Sequence, residues 1–139
     1  MNIRILNTCL NQNWAARVVL RRSKFDSSTD ALKTLHWLPI RERIDFKVLC
    51  LMHKCLHNCA PKYLMDLIDI SKSQRNTRSS NAHLILRVPF TRKSTFADRS
   101  FSVAGPRMWN SLPAEIRLIE QFKPFKTAIK TLLFKRAFY

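Results

Sequence analysis

Residues Leu32 to Ile68 read LKTLHWLPIRERIDFKVLCLMHKCLHNCAPKYLMDLI, and this stretch decides the fold. Its apolar residues recur at helical spacing, and Pro39 stands where its fixed φ suits a first helical turn. Asn58 lies where the chain must leave the helix through a left-handed residue. The pattern predicts a central helix at 39–58. A second helix is expected to begin at Pro61 and to run to the end of the stretch.

The central helix has two apolar faces. We expect the core face to be the line of residues Ile44, Val48, Leu51 and Cys55, flanked by Met52 and Leu56. A second, softer face carries Phe46, Cys50, His53 and His57. A helix that is covered on two sides is typical of the inside of a helical bundle.

Helical segments are also predicted on both sides of this stretch. Residues 3–20 have apolar side chains at helical spacing, and Ser27 to Asp30 is a strong helix-start signal. Towards the C-terminus, 97–112 is expected to contain a helix broken or bent near Gly105, and Pro113 begins another. Finally, 122–138 forms a basic amphipathic helix, with its lysines on the outer surface.

The segment between these helices has a different character. Ser71 to Asn81 is polar, basic and rich in serine and asparagine, which indicates an exposed loop. His83 to Val88 has the character of a short strand that Pro89 stops.

The sequence therefore predicts a mainly α fold, a helical bundle with a long basic loop and at most one short strand or hairpin. A chain of 139 residues is long enough for one domain with a modest core. Within one domain overall, we expect 1–70 to form the bundle around the central helix and 71–95 to form the basic loop and short strand. Residues 96–139 are expected to form C-terminal helices that pack back on the bundle.

The charge is large and uneven. Twenty-five Lys and Arg face nine Asp and Glu, which gives a formal net charge of +16. Six bases balance six acids between Phe25 and Ile70, whereas eight bases between Ser71 and Arg107 face Asp98 alone. Such an excess is usually neutralised by nucleic acid or by an anionic membrane surface. No apolar run approaches the length of a membrane span. We expect RNA or DNA as the partner, and no membrane.

The cysteines indicate a compartment. Cys50, Cys55 and Cys59 lie on or at the end of one helix, where disulfide geometry is poor, and this favours a reducing environment. We expect an intracellular protein, cytoplasmic or nuclear. The N-terminus contains arginine, lacks acids and is amphipathic, so mitochondrial targeting is an alternative to its being the first helix of the fold.

Most catalytic chemistry is excluded by the residues. A single glycine excludes a glycine-rich phosphate loop and a dinucleotide fingerprint, and the carboxylates include no adjacent aspartate pair. One helix face carries three possible zinc ligands, Cys50, His53 and His57. Because the sequence lacks the paired Cys-x-x-Cys motifs of zinc sites, packing of these side chains in the protein interior is the preferred interpretation. We expect no enzyme activity, no cofactor and no metal.

Several blocks of the chain resemble one family. They are QNWAARVVLRR (12–22), LHWLPIRERIDFKVLCLMHKCLHNCAPKYL (35–64), RSSN (78–81), VPFTRKSTFADRSFSVAGPRMWNSLPAEIR (88–117) and FKTAIKTLLF (125–134). In this order they resemble the C-terminal, thumb-side region that follows the palm in reverse transcriptases of LINE-type (non-LTR) retrotransposons. The resemblance implies a mostly helical domain that holds template RNA or primer duplex. The catalytic Tyr-x-Asp-Asp motif is absent, so the chain resembles a detached tail of such a polymerase.

We therefore expect a non-catalytic nucleic-acid-binding fragment. The expected phosphate contacts are Arg78, Arg87, Arg92, Lys93, Arg99 and Arg107, and Trp109 is the ring expected to stack on a base. The alternative for Phe96, Phe101 and Trp109 is a place in the core. Two other functional hypotheses stay open, a structural or protein-interaction fragment that docks on the missing polymerase domains, and a translated remnant without function.

Overall fold

The computed structural model describes residues 3–69, 84–90 and 98–139. Within them the chain is mainly α-helical and has no sheet, which confirms the predicted fold class. The helices in chain order are α1 (Ile3–Val19), α2 (Ser28–Thr34), α3 (Ile40–Leu56), α4 (Lys62–Met65), α5 (Phe101–Asn110), α6 (Ala114–Arg117) and α7 (Phe122–Phe138).

The helix limits agree well with the local sequence signals. Ser27 caps α2 by accepting a hydrogen bond from the backbone N–H of Asp30 at 3.4 Å. After α3, Asn58 has the left-handed φ of 55° that was predicted for the exit. The α7 helix has the predicted bounds, whereas α4 ends at Met65 and is shorter than expected. In the described part of the predicted strand, only Leu86 has β-bridge geometry.

Two compact units make up the chain. The first unit comprises Met1–Phe46 and Lys130–Tyr139, and the second comprises Lys47–Ile129. The limits therefore fall inside α3 and inside α7. The C-terminal turns of α7 belong with the N-terminal helices.

The first unit is built on the contact between α1 and α2. Its fully enclosed residues are small, Ala16 on α1 and Ala31 on α2, so the two helices approach closely. Around them pack Leu20, Leu32, Leu35, Trp37 and Phe138. Gln12 is buried, and its side-chain amide donates a hydrogen bond of 2.8 Å to the carbonyl of Leu38. This bond satisfies a buried polar group and fixes the chain between α2 and α3.

The buried face of α3 agrees with the predicted one at Cys55 and at the flanking Met52, and differs from it elsewhere. Its buried residues are Leu49, Met52, His53 and Cys55. Ile44 and Leu51, which were expected to face the core, are 45% and 40% exposed. From the softer face, His53 is buried as well, because its ring finds a hydrogen-bond partner and can enter the core with its apolar neighbours.

The second unit brings α3 and α5 into close contact at the only glycine of the chain. A Cβ atom at Gly105 would lie 2.5 Å from the Sδ atom of Met52, which is fully buried. The α5 helix continues through Gly105 and Pro106 and does not break there. The glycine therefore serves close helix packing and not the expected break.

Candidate nucleic-acid interface

Three of the predicted phosphate contacts lie in described parts of the second unit. Arg87 follows the bridge residue Leu86, Arg99 precedes α5, and Arg107 lies on α5. All three arginines are exposed. The other three predicted contacts, Arg78, Arg92 and Lys93, lie outside the described residues, as does Phe96.

Trp109 requires a correction. The side chain is fully buried, and its indole N–H donates a hydrogen bond of 2.9 Å to the carbonyl of Leu84. Its ring lies 5.6 Å from that of Phe125 and 6.4 Å from that of His53, measured between centroids. An enclosed ring cannot stack on a nucleic-acid base, so the prediction for Trp109 is wrong and the core alternative is right. A sequence signal existed, because Trp109 lies about one helical turn after Pro106, another apolar residue that is buried on α5.

The segment around Arg87 is held by a contact that the sequence did not reveal. Asn110, the last residue of α5, accepts a hydrogen bond from the N–H of Leu86 at 2.9 Å and donates one to its carbonyl at 2.8 Å. The N–H of Arg87 donates to the carbonyl of Asp69 at 3.0 Å. Asn110 thus acts on Leu86 as a neighbouring strand would, and it fixes the backbone from which the exposed Arg87 side chain projects.

Arg107 has a carboxylate partner. Its guanidinium lies 3.2 Å from a carboxylate oxygen of Asp98, and the two side chains are 60% and 31% exposed. Exposed ion pairs of this kind contribute about 0–1 kcal/mol. A phosphate can therefore compete with Asp98 for Arg107 at little cost.

His53 is buried in the second unit, among aromatic rings. Its ring lies 4.2 Å from those of Phe125 and His57, measured between centroids. Its Nε2 atom is 2.8 Å from the carbonyl oxygen of Ile119, so Nε2 carries the proton and donates. Burial lowers the pKa of His53, although the hydrogen bond to Ile119 acts in the opposite direction. The ring is therefore a neutral packing and hydrogen-bonding group at neutral pH.

The contacts of His53 bear on the zinc alternative. Its protonated nitrogen is committed to a backbone carbonyl, and aromatic rings surround it. Burial raises the pKa of the Cys50 thiol, which disfavours the thiolate that zinc requires. In residues 3–69, 84–90 and 98–139, no three side chains of His, Cys, Asp or Glu come together as a metal site would need. The four cysteines are free thiols.

The surface of α7 carries the lysines that the sequence placed there. Lys123, Lys126, Lys130 and Lys135 are exposed, and Phe125, Ile129 and Leu133 are buried. This confirms the predicted amphipathic division of the helix. Lys54 on α3 adds a charge beside this helix, with its ammonium 5.0 Å from the ring centroid of Phe122.

Comparisons with family models, with curated proteins and with solved structures give no match for this chain. None of the helices in the described ranges has the length and apolarity needed to cross a bilayer. Function is therefore inferred from the residues and their placement.

Proposed function

We propose that this chain is a non-catalytic nucleic-acid-binding module, similar to the C-terminal region of a LINE-type reverse transcriptase, that holds RNA or primer duplex by its phosphates. The observation that carries the proposal is the charge, since 25 bases face nine acids. Even if each acid paired with one base, sixteen cations would remain. Phosphate backbones supply the anions that can neutralise such a surplus.

The exposed arginines of the second unit support this proposal. Arg87 projects from a backbone segment held by Asn110, and Arg107 projects from a helix. A side chain on a fixed backbone loses less conformational entropy when it binds than one on a free loop. These arginines are therefore suited to contact phosphates, and the charge surplus of 71–107 would add to their effect.

Binding without catalysis follows from what the sequence lacks. The Tyr-x-Asp-Asp motif of a polymerase active site is absent, and the one glycine is used for helix packing. Nucleic acid would be held by this module, and chemistry would need the polymerase domains that the resemblance implies.

The proposal is tested by the salt dependence of binding. If the six predicted residues each neutralise a phosphate of a duplex, the logarithm of the association constant should fall against the logarithm of salt concentration with a slope of about −5. Arg87→Gln should make the slope shallower by about 1, because one counterion fewer is released. Fluorescence anisotropy with a labelled RNA–DNA duplex measures both.

Arg43→Gln is the matched control, because Arg43 is an exposed arginine on α3 outside the predicted set. We expect it to leave the slope unchanged. Equal effects of both substitutions would show that binding depends on total charge and not on the predicted surface. A slope near zero for the unaltered chain would contradict the proposed function itself.

A second candidate function has one specific observation in its favour. Leu10, Trp14 and Val18 follow one another at helical spacing on α1 and are 54%, 53% and 70% exposed. An exposed apolar stripe suits a protein partner better than a phosphate backbone, and the partner proposed here is a polymerase palm domain. Titration of the chain with a separately expressed palm domain, before and after Trp14→Ser, tests this candidate. This second candidate function is excluded if neither the unaltered chain nor the Trp14→Ser variant binds the palm domain.

A further inference from the structure

An open cavity lies at the C-terminal end of α7 in the first unit. Its volume is about 680 Å³, which is in the range of small-molecule sites. The lining residues are His36, Lys130, Thr131, Phe134, Lys135 and Tyr139. Three of them carry rings, two carry ammonium groups and none is acidic. This combination suits a planar aromatic ligand with negative charge.

The rings form a supported platform. His36 is stacked on Phe134 with 5.3 Å between centroids and 15° between planes. Phe134 in turn contacts Phe138 at 4.7 Å, and Phe138 packs on the α1–α2 core. One face of the His36 ring is covered by Phe134, yet the residue is exposed. The His36 side chain therefore stays accessible from the cavity while it is stacked on Phe134.

The backbone holds His36 in this position. Its φ is 52°, a left-handed value that follows the end of α2. Its N–H donates to the carbonyl of Lys33 at 3.1 Å, and its Nδ1 atom lies 3.4 Å from the carbonyl of Thr34. These contacts and the stack on Phe134 restrain the imidazole, which lowers the entropic cost of stacking a ligand on it.

Cations surround the platform. Lys130 and Lys135 line the cavity and are exposed. Lys33 lies with its ammonium 4.0 Å from the ring centroid of Tyr139, a cation–π contact that places a third positive charge beside a lining ring. The backbone N–H of Tyr139 donates to the carbonyl of Lys135 at 2.9 Å, so the tyrosine is tied to the end of α7.

We infer that this cavity binds one unpaired nucleotide of a single strand. The base stacks on the open face of His36, with Tyr139 as a second ring, and Lys130 and Lys135 neutralise its phosphates. Unpaired bases stack on His, Phe and Tyr rings, whereas paired bases are not accessible to them. That the nucleotide belongs to a strand rests on the proposed function. The affinity of the cavity for a free nucleotide can be measured independently of that function.

The test uses the full chain and three probes. They are a single-stranded oligonucleotide with one 2-aminopurine, a duplex of the same length, and adenosine monophosphate followed by NMR. His36→Asn removes the ring and suits the left-handed backbone, because asparagine tolerates a positive φ. Tyr139→Ala removes the second ring, and Tyr63→Ala is its control because Tyr63 is an exposed tyrosine of the second unit.

We expect the 2-aminopurine fluorescence to be quenched when the strand binds the unaltered chain. His36→Asn and Tyr139→Ala should each weaken single-strand affinity about tenfold, because one stacking contact is lost. Duplex affinity should not change, Tyr63→Ala should have no effect, and all variants should keep the unfolding midpoint of the unaltered chain.

Each contrary outcome has a distinct meaning. Salt-dependent strand binding that neither substitution alters would overturn the cavity inference and leave the proposed function intact. Binding of adenosine monophosphate that depends on His36, without any affinity for strands, would overturn the proposed function and the single-strand inference, and would leave the cavity as a site for free nucleotides. If no probe binds, both are wrong.

Discussion

The two units use the same kinds of ring in opposite ways. In the second unit, His53, Trp109 and Phe125 lie against one another in the core, and the ring nitrogens of His53 and Trp109 donate to backbone carbonyls. In the first unit, His36 stacks on Phe134 at the edge of an open cavity, and Tyr139 beside it is 86% exposed. The enclosed rings stabilise the fold, and the exposed rings are available to a ligand.

This difference shows that an aromatic residue near a cation in the sequence does not necessarily stack on a ligand. Trp109 lies two residues after Arg107, yet its indole is turned into the core and bonded there. His36 stands among apolar residues in the sequence, but a left-handed backbone at the end of α2 leaves it exposed. Burial and hydrogen-bond partners decide the role of each ring.

The largest loss of stability is expected when one ring is removed from the enclosed cluster of His53, Trp109 and Phe125. Trp109→Ala removes a fully buried indole and leaves the carbonyl of Leu84 without its donor. We expect the free energy of unfolding to fall by about 3–5 kcal/mol. Urea unfolding followed by circular dichroism measures it, since helix content reports on the folded state without needing the tryptophan.

Trp14→Ala sharpens this comparison, because Trp14 is a tryptophan of the first unit that is 53% exposed. Its removal should cost about 1 kcal/mol or less. Should the two substitutions cost the same, the distinction between enclosed and exposed rings would not hold.

A smaller loss of stability is expected when Asn110 is replaced. Asn110→Ala leaves the N–H and the carbonyl of the buried Leu86 without their partners, which should cost about 1–3 kcal/mol. The amide of Leu86 should also exchange its hydrogen faster, and mass spectrometry after hydrogen exchange measures this locally.

Asn110→Asp keeps the oxygen that accepts from Leu86 and loses the donor to its carbonyl. The amide of Leu86 should therefore keep more protection in this variant than in Asn110→Ala. Equal exchange in both variants would mean that Asn110 does not hold the segment that carries Arg87.

The smallest effect is a pH dependence that comes from His53. Burial lowers its pKa below the ordinary value of 6.5, so the unfolded chain takes up a proton at pH values at which the folded chain does not. This residue should therefore make the protein less stable as the pH falls through 6.5 towards the lowered pKa, and its contribution should be constant above that range.

His53→Gln is the matched variant, because glutamine can donate to the carbonyl of Ile119 but does not titrate. Urea unfolding at a series of pH values should show a shallower loss of stability on acidification for the variant than for the unaltered chain. Parallel curves would contradict a lowered pKa at His53.

Local signals in the sequence were sufficient for most helix limits. The Ser27 cap, Pro39 and the asparagine at 58 set the ends of α2 and α3, and the apolar period of 122–138 set α7. Each of these signals determines the backbone only within a few residues along the chain. They can therefore be recognised in a single sequence.

Which side of each helix is buried, and which residues it contacts, could not be predicted from such local signals. The buried side of α3 depends on Met52 meeting Gly105 and on His53 reaching Ile119, 66 residues away. The role of Asn110 depends likewise on Leu86, 24 residues away. Such contacts are made by tertiary packing, and hydrophobic period alone does not choose between the two apolar faces of one helix.

The candidate site was predictable only in part. Charge identified Arg87, Arg99 and Arg107 as surface groups, since arginine is seldom buried unless paired. The cavity at His36 joins α2 to residues near the end of α7, about a hundred positions later, and no sequence pattern connects them.

RNA affinity at two salt concentrations tests most directly whether the folded chain binds polyanions through its charge. We expect amide NMR signals that are well dispersed, and a dissociation constant that rises about a thousandfold between 50 and 200 mM monovalent salt, as six phosphate contacts require. A well-dispersed spectrum together with no binding, or with an affinity that is the same at both salt concentrations, would contradict it.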